Sequence, residues 1–176
     1  MTAEQSTPRT TLDLVATAGL ISGAVFGIAG TMVPQAALRQ AFWAIDGVGL
    51  IVATTLLAVR FLRLGDDVVA AGFLVFAIGE SLLVGGTAAG LEGSVPSFGG
   101  GVALWAAGLL MISLPATMPA WVRATGVAAA LLFIVVAARI FAGELLLPTA
   151  SPLPFFAYPV LVLTFVGWIV ALVQRR

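Results

Sequence analysis

Cysteine, histidine and lysine are all missing from the 176 residues, and only 9% of positions carry a charge. Each absence closes off chemistry. Without cysteine there is neither a disulfide nor a thiolate; without histidine there is no imidazole for acid–base work, for haem or for an ordinary zinc site. Without lysine no Schiff base can form, which excludes a covalently held retinal. Any metal would have to be a hard cation on oxygen ligands, and no acidic spacing here calls for a metal or a cofactor. Eight arginines balance eight acids, so a nucleic-acid partner has no electrostatic support.

The shortage of charge is itself the main structural clue. A soluble domain carries about 25% charged residues because its surface must face water. This chain is 61% apolar, and burial in lipid accounts for that directly. The sequence therefore reads as an all-α polytopic membrane protein, a single domain over residues 1–176.

Six apolar segments are predicted, at Leu12–Val33, Phe42–Leu62, Val68–Ala89, Gly99–Met118, Ala120–Gly143 and Phe155–Val173. Each is close to the ~20 residues that cross ~30 Å of hydrocarbon as a helix. Barrel strands would alternate polar and apolar residues, and these runs do not. The first run is longer than the apolar region of a cleaved signal peptide and has only Arg9 before it, so it reads as a retained helix.

Six crossings place Arg9, Arg60, Arg63, Arg123, Arg175 and Arg176 on one side and Arg39 in a connection on the other. That bias predicts cytoplasmic termini in a bacterial-type inner membrane, with lipid as the constant partner. The two inner connections are short. The outer ones are longer, notably Gly90–Gly99 and the proline-broken Leu145–Pro154, which is expected to pack on helix ends or lie at the interface. No internal repeat rises above chance, which removes one usual pointer to a transporter.

Gly19, Gly23 and Gly27 form a stripe at i, i+4, i+8 that admits another backbone closely. Packing inside the bundle and a homo-oligomer contact both fit it. Asp46, Glu80 and Arg139 lie within apolar runs, where ionisable residues mark functional sites by default. A 1.5 Å rise per residue puts Asp46 ~6 Å inside the outer end, Glu80 ~18 Å up from the inner end and Arg139 ~28 Å up. All three fall in the outer half, with Trp43, Trp105, Tyr158 and Thr87. The inner-half charges read as interfacial.

Two arrangements follow. In one, Arg139 reaches Glu80 or Asp46 and locks helices together. In the other, Glu80 stands unpaired and exchanges protons, as proton-coupled transport needs. Pro115 is a candidate kink and Pro159 a helix start. The functional expectation is an outward-facing polar site, on Glu80, Asp46, Arg139, Tyr158, Trp105 and Trp43, that binds or translocates a small solute, ion or proton. The alternative is an accessory subunit or lipid-binding scaffold whose buried charges only fix packing. An Asp46–Glu80 acid–base enzyme has the least to stand on, since no nucleophile or metal motif accompanies it.

Overall fold

The computed structural model describes residues 11–174. Arg9, Arg175 and Arg176, which weigh in the arginine bias, lie outside the described residues. Within them the chain is all-helical: α1 (Thr11–Met32), α2 (Ala36–Arg63), α3 (Asp67–Gly86), the short α4 (Gly90–Gly93), α5 (Val95–Ser113), α6 (Ala120–Phe141) and α7 (Ala157–Gln174), with a 3-10 turn at Thr87–Ala89. The five helical stretches up to Phe141 are long and apolar enough to cross a membrane; the apolar part of α7, Ala157–Val173, is shorter.

The six long helices close a ring in which each packs on its neighbours in sequence and α7 returns to α1. Short connections make neighbours antiparallel, and glycines set the close contacts. Gly19 faces Gly49 and Ala53, Gly79 faces Gly101, Gly72 faces Gly108, and Gly126 faces Ser113. The glycine stripe of α1 is thus filled by α2 of the same chain. The outer face of the ring stays apolar: Val25, Val48 and Ile78 are each more than half exposed, as suits contact with lipid.

Helix ends follow from local chemistry. At the end of α2, Gly65 takes φ +76°. Its N–H donates to the Leu62 carbonyl at 3.1 Å, and the Asp66 N–H donates to that of Phe61 at 3.0 Å. This is the paired bonding of a Schellman motif. Asp66 then caps α3 by accepting from the Val69 N–H at 3.4 Å. Arg123 of α6 closes α5, donating through Nε to the Ser113 carbonyl at 2.9 Å and through Nη2 to that of Leu114 at 2.8 Å. Those carbonyls have no partner inside the helix.

Three expectations are corrected. The Gly90–Gly99 stretch is not an open connection but helical, because Pro96 stands in the first turn of α5, where its fixed φ favours a start. The fourth helix accordingly runs Val95–Ser113 instead of Gly99–Met118, and Pro115 falls beyond it and kinks nothing. Helix α2 begins at Ala36, six residues before the apolar run at Phe42, so Arg39 lies on a helix. Hydropathy marks where the apolar run begins, while Ala36-Ala-Leu-Arg-Gln40 is made of good helix formers. Pro159 does lie in the first turn of α7.

Among the charges expected at an interface, Arg60 differs from expectation. Asp13, near the start of α1, and Arg60 of α2 form an ion pair with side chains only 12% and 19% exposed. Arg60 is thus packed between helices instead of standing alone at an interface. Asp13 had no distinguishing sequence context beyond its place in a first helical turn.

Candidate functional site

The ring is filled unevenly along its axis. Towards the end that holds Arg60, Arg63 and Arg123, aromatic rings close the centre: Phe73 lies edge-on to Trp168 at 4.9 Å, and Phe76 meets Phe165 at 5.9 Å. Trp168 is 1% exposed. Beyond these rings lies a hollow of about 10 Å³ beside Arg60 and Met118.

At the opposite end the helices leave a cavity of about 80 Å³, several times the ~10–15 Å³ that one water requires. Helix α1 contributes Gly23, Gly27 and Thr31; α2 contributes Trp43, Asp46 and Leu50; α3 contributes Glu80, Leu83 and Val84. Phe98 and Trp105 come from α5, Tyr158, Leu161 and Phe165 from α7, and Thr87, Ser94 and Pro148 from the connections. Five of the six predicted site residues therefore meet here: Glu80, Asp46, Tyr158, Trp105 and Trp43.

Glycines make the room. A Cβ on Gly27 would lie 3.0 Å from Asp46 Oδ2, and one on Gly47 would lie 3.2 Å from Glu80 Oε1. The α1 stripe thus admits both the α2 backbone, at Gly19, and the Asp46 carboxyl, at Gly27.

The hydroxyls around the cavity are spent on backbone. Tyr158 donates to the Pro148 carbonyl at 2.9 Å, Thr87 to Val84 at 2.7 Å, Ser94 to Leu91 at 2.9 Å and Thr31 to Ile28 at 2.7 Å. The carboxyls are not so satisfied. Glu80 is 2% exposed and Asp46 9%, yet Glu80 Oε2 and Asp46 Oδ1 have no hydrogen-bond partner. Trp105 Nε1 lies beside the Glu80 carboxyl without making a hydrogen bond of good geometry. Such buried unpaired atoms are rare because each costs about 1–3 kcal/mol.

Arg139 is not part of this cavity. Its Nε donates to Glu144 Oε2 at 2.7 Å and its Nη2 donates to Oε1 of the same carboxylate. Both side chains are largely solvent-accessible, at 40% and 44%. The local fold dictates this pairing. Gly143 takes φ +93° after the end of α6, its N–H bonds Ile140 and the Glu144 N–H bonds Arg139. This second Schellman motif turns Glu144 back over Arg139. The arginine holds the Glu144 carboxyl below its ordinary value near 4.5, first by hydrogen bonding. Its small stabilising effect is therefore present above the ordinary carboxylate range and lost as pH falls through the lowered value. Arg139→Gln is expected to leave thermal stability and any ligand affinity of the cavity unchanged, because an exposed pair is screened by water. A loss of binding in titration of that variant would return Arg139 to the site.

Comparison with known proteins gives no match of this chain to a family model, to a curated protein or to a solved structure. Among the described residues no cluster of three acidic side chains could hold a metal ion.

Proposed function

We propose that the chain is a six-crossing membrane protein that binds a small solute in the cavity at the end opposite Arg60, with Asp46 and Glu80 exchanging charge or protons with it. One observation carries the reading: two buried carboxyls from adjacent helices leave oxygens unpartnered at the wall of the same cavity. A scaffold that used its carboxyls to fix packing would pair them, since an unpaired ionisable group between helices is costly and gives no geometry. Here the arginine that would pair them is committed to Glu144. The arginine bias supports cytoplasmic termini, so that the cavity would face outward from a bacterial-type inner membrane. On this reading the sixth crossing is α7, whose 18 residues extend ~27 Å at 1.5 Å per residue.

Infrared difference spectroscopy on protein reconstituted in lipid tests the reading. A protonated-carboxyl band is expected that titrates with buffer pH, shifts promptly on transfer to deuterated water, and diminishes in both Glu80→Gln and Asp46→Asn. A band that neither titrates nor exchanges would mean a dry, closed core and favour the scaffold.

A further inference from the structure

We infer that the solute is a small lipophilic organic cation, an alkyl- or arylammonium, seated between the Asp46 and Glu80 carboxyls and the aromatic walls. This assignment rests on the reading of the cavity as a solute site and goes further by naming the chemistry that fits it.

The lining offers acceptors and almost no donors. The hydroxyls of Thr31, Thr87, Ser94 and Tyr158 are already donating to backbone carbonyls. The unpartnered buried atoms on the wall are two carboxyl oxygens and one donor, Trp105 Nε1, which lies beside Glu80. An anion entering here would meet two carboxyls and a single N–H. A neutral polar solute would find no free hydroxyl. A positive charge is the complement.

The charge must also sit on an organic body. A bare Ca²⁺ needs 6–8 oxygen ligands and Mg²⁺ a near-ideal octahedron. Two carboxyls from α2 and α3 cannot supply that; four wall hydroxyls, on Thr31, Thr87, Ser94 and Tyr158, are held by backbone carbonyls, and most of the remaining wall is aliphatic or aromatic. For an ammonium carrying alkyl or aryl groups the same wall is an advantage. Aromatic faces attract a desolvated cation, and Trp43, Phe98, Trp105, Tyr158 and Phe165 all line the cavity. Arg39, one turn from Trp43 on α2, is held away from it. Arg39 lies 5.8 Å over the Trp43 ring and donates to the Val33 carbonyl at 3.3 Å, and it does not line the cavity.

The test compares tetramethylammonium, a cation small enough for the cavity, with its neutral carbon isostere, neopentane, on full-length protein in nanodiscs of zwitterionic lipid. Binding is read by calorimetry and by tryptophan fluorescence. The expected result is saturable binding of the cation, weakened about thirtyfold or more in Glu80→Gln and weakened also in Asp46→Asn. The isostere should bind no better to wild type than to Glu80→Gln. Unchanged gel-filtration profiles and helical circular dichroism show that the variants fold. If the isostere binds as tightly as the cation, or if neither substitution weakens the cation, the cation assignment is overturned and the solute site stands. If neither probe binds, the assignment is overturned as well, and carboxyl exchange with deuterated water decides separately whether the site reading falls with it.

Discussion

Gly19→Leu is expected to destabilise the bundle by about 3 kcal/mol or more, at the upper end of what overpacking costs. The reason is geometric. A Cβ on Gly19 would run into the Gly49 carbonyl of α2 and stand 2.9 Å from Ala53 Cβ, and a Cβ on Gly49 would lie 3.0 Å from the Gly19 carbonyl. Both obstacles belong to the partner's backbone or to its shortest side chain, so no rotamer change relieves them. The helices must separate, and the Gly27–Asp46 contact two turns away would open with them. Gly85→Ala is the matched control, because nothing lies within 4 Å of its added methyl; it should be neutral or stabilising by up to ~1 kcal/mol. Thermal denaturation in one detergent ranks the two. If Gly19→Leu instead melts like wild type and changes only the oligomeric state, the stripe serves a second copy of the chain and the α1–α2 contact is wrong.

The helices were legible because apolar runs of about 20 residues report helices of membrane-spanning length directly. Their ends were less so. At Ala36 the helix outruns the apolar run, and at Val95 it starts inside what reads as a glycine-rich connection. Asp46 and Glu80 stood out because a carboxyl within a span has few innocent explanations. Their convergence, however, depends on the register of α2 against α3, which is set by the contact at Gly47 with Val84. Nothing in either helix alone encodes that register. Arg139 shows the opposite case. It is nineteen residues up its helix and looks like a buried charge, but Gly143 one residue past the cap was the signal for a backbone fold that delivers Glu144 to it. Asp13 illustrates a remaining gap: its partner Arg60 is 47 residues away, and only antiparallel packing of α1 on α2 brings them together.

Glu80→Met is expected to raise stability and weaken solute binding together. Methionine matches the length of glutamate and is flexible enough to settle beside Val84 and Trp105 without a new cavity. It removes a carboxyl that is 2% exposed and has an unpartnered oxygen. Relieving one such group is worth about 1–3 kcal/mol, and hydrophobic replacement of buried charge in folded proteins is often stabilising. A rise in melting temperature is therefore predicted for Glu80→Met, with Glu80→Gln lying between it and wild type because the amide still needs partners. Binding of tetramethylammonium should weaken at least as much in the methionine variant as in Glu80→Gln, about thirtyfold or more, since only Asp46 then remains to face the cation. The paired outcome separates function from structure. A carboxyl retained for packing would lower the melting temperature when removed, and that result would refute the assignment of Glu80 to a site. A carboxyl retained for a solute costs the resting protein stability that its removal restores.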